Sequence, residues 1–211
     1  MKIAIIDSGV NPGHPHVGDV AGAVTLTLNG EMNDTIDRLG HGTAVAGAIR
    51  EKMPNAELYA LKVFDRRLSA EIRSILTALQ WCRDHAIDLV NLSLGTTNVA
   101  HKESLSHMIG SDLLVVSAAG ALPGDLPGVI GVAPDRDCPR DSFRYRDGVF
   151  FASPYPRPIP GIAVDRNLHG VSFAVANMTA LVARLLAEVA PLDIRNALIE
   201  RAQNTASINL Y

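Results

Sequence analysis

Short, wholly apolar runs alternate along this chain with longer stretches in which apolar residues recur at the period of a helix. The runs predict buried strands over residues 2–9, 54–64, 87–95, 112–120, 127–132 and 150–154, and a further strand over 23–28. The helical period predicts helices over 69–85, with Ser69 as the N-cap, over 175–189, and from Pro191 onward. Strands without polar alternation are typical of parallel sheets covered on both faces, so the pattern favours an α/β fold.

Three polar residues lie where these predicted elements begin or end. Asp7 follows the first strand, at the carboxyl edge where α/β proteins gather ligands and catalytic groups. His41 lies between two glycines at the start of an apolar helix, and we expect its ring to be exposed there. Ser172 lies at the head of a later helix, where backbone N–H groups favour developing negative charge.

The stretches around these residues resemble the signatures of the subtilisin-like serine peptidases, the subtilases. They are Asp7-Ser8-Gly9, His41-Gly42-Thr43 and Gly170-Val171-Ser172-Phe173-Ala174. The resemblance covers essentially the whole chain and implies a single domain over 1–211 with the three-layer fold of that family. It also implies a serine endopeptidase in which Ser172 is the nucleophile, His41 the general base and Asp7 the residue that orients the base.

The same resemblance implies where a peptide substrate would bind. In the family, a segment after the central strand pairs backbone to backbone with an extended substrate, which is strand addition to an open edge. The matching residues here are Ser93, Leu94 and Gly95, with residues 68–70 as a second wall. The pocket for the residue before the scissile bond would be lined by Ala118, Ala119 and Gly120, whose small size leaves room for a medium or large apolar side chain.

The chain departs from the family pattern beside the nucleophile. The asparagine whose amide normally donates to the oxyanion is replaced by Ala121, which leaves the backbone N–H of Ser172 as one donor. Either this oxyanion site is depleted, or His169 or Asn177 replaces the missing amide. The other departures are Val171, for the usual threonine, and Ala176-Asn177, for the usual Pro-His pair.

Charge and cysteine content exclude several classes of partner. A formal net charge of −3 gives no basic surface for nucleic acid and no polybasic patch for a membrane. The apolar run before Asp7 is too short for a signal peptide, so we expect a cytoplasmic protein that begins at its catalytic domain, without a propeptide. Cys82 and Cys138 have no metal-ligand spacing, and we expect free thiols.

We expect neither a metal nor a cofactor. Asn33, Asp34 and Asp37 lie in a polar loop, and many relatives bind calcium through such oxygens. These residues do not have a recognisable ligand loop. We therefore interpret the segment as a solvated loop.

Two functions of different classes are compatible with these patterns. The triad predicts an intracellular peptidase that processes a restricted set of proteins or precursor peptides, since a broad protease without a guard would be hazardous in the cytoplasm. The altered oxyanion site supports a second hypothesis, a weak or inactive subtilase fold that binds peptides as a scaffold. A fluorophosphonate probe that labels Ser172 would favour the peptidase.

Overall fold

The computed structural model describes residues 1–26 and 34–208, with side chains described up to residue 204. The strands that it describes form one eight-stranded sheet in the order β2-β3-β1-β4-β5-β6-β8-β7. Their bounds are β1 Lys2–Asp7, β2 Gly22–Thr25, β3 Glu57–Lys62, β4 Leu89–Leu92, β5 Val115–Ala118, β6 Ile130–Pro134, β7 Phe143–Arg146 and β8 Val149–Ala152. All neighbouring strands are parallel except β7 and β8.

Helices cover both faces of this sheet. Their bounds are α1 His41–Lys52, α2 Ile72–Asp84, α3 Lys102–Ile109, α4 Val171–Leu185 and α5 Ile194–Ile208. Successive side chains of β1 point to opposite faces, so Ile3 and Ile5 join the core with α1, α4 and α5, whereas Ala4 and Ile6 join the core with α2 and α3. The sheet is therefore the middle of three layers, which confirms the predicted α/β fold class.

The predicted strands are found, and most of them are shorter than predicted. The predicted helices begin at other residues than expected, and the reasons are local. Ser69 is not an N-cap, because its N–H donates to the Arg67 carbonyl in a turn and the chain stays extended until Glu71. The fourth helix begins at Val171, four residues before the predicted 175, and so includes Ser172. Of the predicted strand over 23–28, residues 27 and 28 lie outside the described residues.

Two elements were not predicted. The helix α3 is only 8 residues long, with two buried side chains, which gives little periodicity to read. The strand β7 alternates arginine with aromatic residues and pairs antiparallel with β8 at the edge of the sheet.

No helix among the described residues is long and apolar enough to span a membrane. Cys82 and Cys138 are both buried free thiols.

The order of the strands determines where polar groups gather. Because β1, β4 and β5 are parallel neighbours, their carboxyl ends meet at one edge of the sheet. Asp7 ends β1, Ser93 directly follows β4, and Ala119 directly follows β5. The helices α1 and α4 pack against each other over this part of the sheet, which brings their N-terminal ends to the same edge.

Candidate active site

A carboxylate and an imidazole are joined at this edge. Asp7 is fully buried at the end of β1, and its Oδ1 lies 2.7 Å from Nδ1 of His41, the first residue of α1. The same oxygen accepts from the backbone N–H of Ser8 at 2.7 Å and from the Ser8 hydroxyl at 3.1 Å. With Asp7 ionised, Nδ1 of His41 carries the proton, which leaves Nε2 as the acceptor on the opposite side of the ring.

Gly42 allows the start of α1 to lie against the turn that follows β1. A Cβ at Gly42 would lie 2.1 Å from the carbonyl oxygen of Gly9 and 3.2 Å from Asp7. Any side chain would therefore push the helix away from the carboxylate. Gly40, on the other side of His41, caps the helix with φ at +73°, a conformation that favours glycine.

The ring of His41 is covered, contrary to the expectation of an exposed ring. Its side chain is only 13 % exposed, and it contacts Phe173 of α4 with 5.5 Å between ring centroids. Burial alone would lower the pKa of His41, but the hydrogen bond to Asp7 and the charges of Asp7 and Asp37 outweigh it and raise the pKa above its usual value of 6.5. The site therefore stabilises the protonated imidazole that a general base must form.

Ser172 lies next to the segment that follows β4. Its hydroxyl donates to the Ser93 carbonyl at 3.3 Å, and the Ser93 hydroxyl donates back to the Ser172 carbonyl at 3.2 Å. In the described part of the chain no hydrogen bond joins the Ser172 hydroxyl to His41. Such bonds commonly tighten only in the substrate complex. Since Phe173 touches the His41 ring, Ser172 and His41 are nevertheless at the same edge.

The first predicted wall of the substrate groove, residues 93–95, lies beside the segment that follows the predicted pocket residues 118–120. Thr96 and Leu122 exchange two backbone hydrogen bonds of 2.9 Å, as an isolated antiparallel bridge. A Cβ at Gly95 would lie 2.8 Å from Cβ of Ala121, so the Cβ side of this glycine faces Ala121. Gly95 is itself exposed, and its place in the substrate groove stays a prediction.

The other predicted groove residues differ in how much of their surface is open. Ser93 and Ala118 are buried, Leu94 and Ala119 are half-buried, and Gly120 is exposed. The Gly120 N–H donates to the Asp125 carboxylate at 2.7 Å, which fixes the turn that leads to Ala121. The predicted pocket residues are thus followed directly by Ala121 and Leu122, which lie against the segment after β4.

Asn177 is not the replacement oxyanion donor. It is fully buried, and its amide nitrogen donates to the carbonyls of Ser153 and Tyr155, both at 2.9 Å. Both of its amide protons are thus in use. His169 is exposed, with Nδ1 lying 3.3 Å from the Asn167 carbonyl, and stays a candidate. The backbone N–H of Ser172, in the first turn of α4, has no partner within the helix.

The oxygen of the Asn177 amide has a different role. It accepts from Nζ of Lys52 at 2.7 Å, and this lysine, on the last turn of α1, is only 7 % exposed. Burial and the nearby charge of Arg140 lower the pKa of Lys52 to about 8. The helices that begin at His41 and near Ser172 are thus also tied together at a distance from the triad.

Asp37 is a residue of this site that the sequence interpretation missed. It was expected in a solvated loop, but it is only 5 % exposed and accepts hydrogen bonds from Ser8 and from the first turn of α1. An Asp or Asn just before a helix commonly bonds to its first N–H groups, and this is the signal that could have found it. Asp34 of the same loop pairs with Arg38 and lies 3.7 Å from Lys62.

No metal-binding group of side chains is present among residues 1–26 and 34–208. These residues include two carboxylates of the polar loop that was weighed as a calcium site. Asp34 pairs with Arg38, and Asp37 accepts from backbone N–H groups. Asn33 lies outside the described residues.

Comparisons with known proteins agree with the geometry. A model of the Subtilase family matches residues 1–133. The chain is 31 % identical to Subtilisin Savinase of Lederbergia lenta, over 100 % of this chain and 86 % of that protein. It is also 31 % identical to an alkaline protease of Alkalihalobacillus alcalophilus, over 100 % of this chain and 61 % of that protein. For Subtilisin E of Bacillus subtilis (strain 168) the identity is 29 %, over 91 % and 55 %.

The fold comparison gives the same result. The crystal structure of a cold adapted subtilisin-like serine proteinase matches with a TM-score of 0.72 and 22 % identity, over 95 % of this chain and 81 % of that chain. The fold is therefore that of the subtilisin-like proteins. The chain spans about three fifths of the length of the alkaline protease and slightly more than half that of Subtilisin E.

Proposed function

Since the chain belongs to the subtilase family, we propose that it is a serine endopeptidase that hydrolyses peptide bonds with Asp7, His41 and Ser172. The observation that carries this proposal is the 2.7 Å contact between Asp7 and His41 at the sheet edge where Ser172 begins a helix. An imidazole held in one tautomer beside a serine is the arrangement that acyl transfer requires.

In the proposed reaction, Oγ of Ser172 attacks the carbonyl carbon of the scissile bond while Nε2 of His41 takes the hydroxyl proton. The C–N bond then breaks as His41 gives this proton to the leaving amine, and an ester to Ser172 remains. Water attacks the ester with His41 again as the base, which releases the acid and restores the serine. Asp7 holds the Nδ1–H and stabilises the imidazolium in both steps.

Two donors are proposed for the oxyanion that forms in each step. The first is the backbone N–H of Ser172, which is free of the helix ladder and lies at the positive end of α4. The second position has no side-chain amide, since Ala121 stands there. We expect slow catalysis for this reason, unless His169 supplies the second donor.

The proposed substrate is an extended peptide that pairs with the backbone of residues 93–95. The close approach of Ala121 to the Cβ side of Gly95 supports a restricted range of substrates, because it limits the side chains that fit beside residues 93–95. The buried free thiols Cys82 and Cys138 support a reducing compartment such as the cytoplasm. We therefore propose a peptidase that processes a limited set of proteins or precursor peptides inside the cell.

The test is labelling with a fluorophosphonate probe, followed by peptide mapping. We expect a mass shift on Ser172 in the wild-type protein, none in Ser172→Ala, and strongly reduced labelling in His41→Ala. Cleavage-site profiling on a diverse peptide library by mass spectrometry then reports the preferred residues. A wild-type protein that binds peptides without being labelled or cleaving them would instead indicate the inactive scaffold.

A further inference from the structure

Asp37 is a second buried carboxylate close to the triad, and both of its oxygens are fully engaged. Oδ1 accepts from the Ser8 hydroxyl at 2.8 Å and from the N–H groups of Leu39 at 3.0 Å and Gly40 at 2.8 Å. Oδ2 accepts from the N–H of Thr43 at 2.8 Å and from its hydroxyl at 2.7 Å. Every donor of this set comes from the turn after β1 or from the start of α1.

This carboxylate is stabilised without a cation. Among the described residues no lysine or arginine forms an ion pair with Asp37. Its charge is balanced by the hydrogen bonds and by the positive end of α1. Because the helix start is bound to Asp37, the position of His41, its first residue, depends on this carboxylate.

Ser8 connects Asp37 to the catalytic pair. Its hydroxyl lies 2.8 Å from Oδ1 of Asp37 and 3.1 Å from Oδ1 of Asp7, and it accepts from the N–H of Gly42 at 3.0 Å. A hydroxyl has one proton, so Ser8 can donate to only one of the two carboxylates at a time. The shorter distance favours Asp37, which leaves Oδ1 of Asp7 to the Ser8 N–H and to His41.

We propose that Asp37 is a positioning residue for the catalytic base, which acts on His41 through Ser8, through the first turn of α1 and through its own buried charge. This inference rests on the proposed peptidase mechanism for its catalytic consequence. Its electrostatic consequence does not rest on that mechanism, because the protonation of the His41 ring can be measured without any substrate.

The charged groups around this centre are few and separately engaged. The charges that act on His41 are Asp7 and Asp37. The nearest cation by strand register is Lys62, opposite Asp7 on β3, but its Nζ donates to the Ile36 carbonyl at 2.7 Å and lies 3.5 Å from Asp65. From α4 the ring meets the uncharged Phe173.

The test is the titration of the His41 imidazole, followed by NMR in the whole protein and assigned by its loss in His41→Gln. Asp37→Asn keeps the shape of the side chain but removes the charge, and it frees the Ser8 hydroxyl to bond Asp7. Both changes weaken the attraction for the imidazolium, so we expect the pKa of His41 to fall by about one unit. The acid limb of kcat/KM should move to lower pH by the same amount, with kcat on the plateau reduced about tenfold.

Asp65→Asn is the matched control, because it removes one negative charge from a half-exposed position near Lys62. We expect the pKa of His41 to stay unchanged in this variant. A folded Asp37→Asn protein with the wild-type pKa at His41 would overturn the proposal, whatever its activity. A shifted pKa in a protein that cleaves no peptide would support the role of Asp37 and count against the peptidase function instead.

If Asp37→Asn does not fold, Ser8→Ala decides. This change removes the one hydroxyl donor that the two carboxylates share and leaves their charges in place, so the imidazolium is attracted more strongly and the pKa of His41 should rise. A merely structural role would lower this pKa or leave it unchanged, and either result would overturn the proposal.

Discussion

The two halves of the site differ in how fully their polar groups are hydrogen-bonded. In the half formed by β1 and α1, Asp7 and Asp37 together accept hydrogen bonds from the turn after the strand and from the first turn of the helix. One buried oxygen, Oδ2 of Asp7, is the exception there, with no partner among the described residues. In the half formed by β4, β5 and α4, Ala121 stands at the proposed oxyanion position, and the hydroxyl of Ser172 donates to a carbonyl.

This difference indicates which part of the proposed chemistry the observed contacts support. Transfer of a proton between Ser172 and His41 needs an imidazole of fixed tautomer and orientation, and the first half supplies it. Removing one oxyanion donor slows catalysis about 10²–10³-fold without abolishing it, so in the proposed mechanism the second half can lack one donor and still leave measurable catalysis. We therefore expect substitutions in the first half to be more damaging than those in the second.

The largest effect is expected for Gly42→Ala. The new Cβ would lie 2.1 Å from the Gly9 carbonyl, which is backbone and cannot rotate away, so α1 must move relative to Asp7. We expect kcat/KM to fall about a hundredfold or more, with a loss of about 1–3 kcal/mol in the free energy of unfolding. Steady-state kinetics and urea titration measure the two quantities.

Gly47→Ala is the control for this prediction. It lies on the same helix, but its Cβ would meet His16, with 3.1 Å to the His16 Cβ and 3.7 Å to the His16 carbonyl oxygen. We expect activity within about twofold of the wild type, since a shift of a few tenths of an ångström in the segment around His16 relieves the contact without moving Asp7 or His41. Equal losses of activity in the two variants would show that the composition of α1 requires glycine, and that the close approach of Gly42 to Asp7 is not the reason.

The next effect concerns Lys52, which links the two halves through Asn177. Its pKa is lowered to about 8 in the folded protein, against 10.5 for an ordinary lysine. Between these values only the unfolded chain holds the proton, so the contribution of Lys52 to the free energy of unfolding should rise with pH across this window, by about 2–3 kcal/mol. Lys52→Met should lose this rise. The raised pKa of the buried Cys82 thiol acts in the opposite direction above about pH 9, so the difference between the wild type and the variant is the quantity to compare. Denaturant titrations of both proteins from pH 7.5 to about 10.5 measure it, and parallel pH dependences would contradict the prediction.

The fold, and the gathering of Asp7, His41 and Ser172 at one edge of the sheet, could be predicted because their signals are local. Unbroken apolar runs mark the buried strands, and the residues flanking Asp7, His41 and Ser172 carry the family signatures within a few positions of each. Strand ends then meet at one edge because the sheet is parallel. None of these steps requires knowledge of how distant loops pack.

What could not be predicted depends on contacts between distant segments. Asp37 is buried by a bond to Ser8, 29 positions away in sequence. Asn177 is used by Lys52, which is 125 positions away. Gly95 faces Ala121 only because the short segment after Gly120 turns back on Thr96. Residue type and spacing suggested polar candidates, but only tertiary packing determines which of their hydrogen bonds are already satisfied.

A smaller effect is expected for Ala121→Asn. The position lies against Gly95, two residues beyond the Ser93 carbonyl that binds the Ser172 hydroxyl, so a longer side chain there enters the surroundings of the nucleophile. If the oxyanion site is depleted, the new amide should raise kcat about tenfold with little change in KM, because it acts on charge that exists only in the transition state.

Ala121→Leu is the matched control, since leucine has nearly the shape of asparagine and no donor, and we expect no gain from it. The competing account, in which His169 already supplies the donor, predicts constant or lower activity in Ala121→Asn and a large loss of kcat in His169→Ala. That pair of results would show that His169 replaces the missing amide donor in the second half of the site.

The smallest effect is expected for Gly95→Ala, and it distinguishes the two halves most directly. Its Cβ would lie 2.8 Å from the Ala121 Cβ and 3.4 Å from the Leu122 carbonyl, so the closest obstacle is a side chain and not backbone. We expect KM to rise about threefold to tenfold, with a loss of about 1 kcal/mol in stability. Adding Ala121→Gly removes the obstacle and should restore most of both, with a coupling of about 1 kcal/mol in the double-mutant cycle. No such partner exists for Gly42, where the obstacle is the Gly9 carbonyl. Strictly additive changes in KM and in stability at Gly95 and Ala121 would instead indicate that the added methyl group obstructs the substrate itself. The groove would then be open beside Gly95.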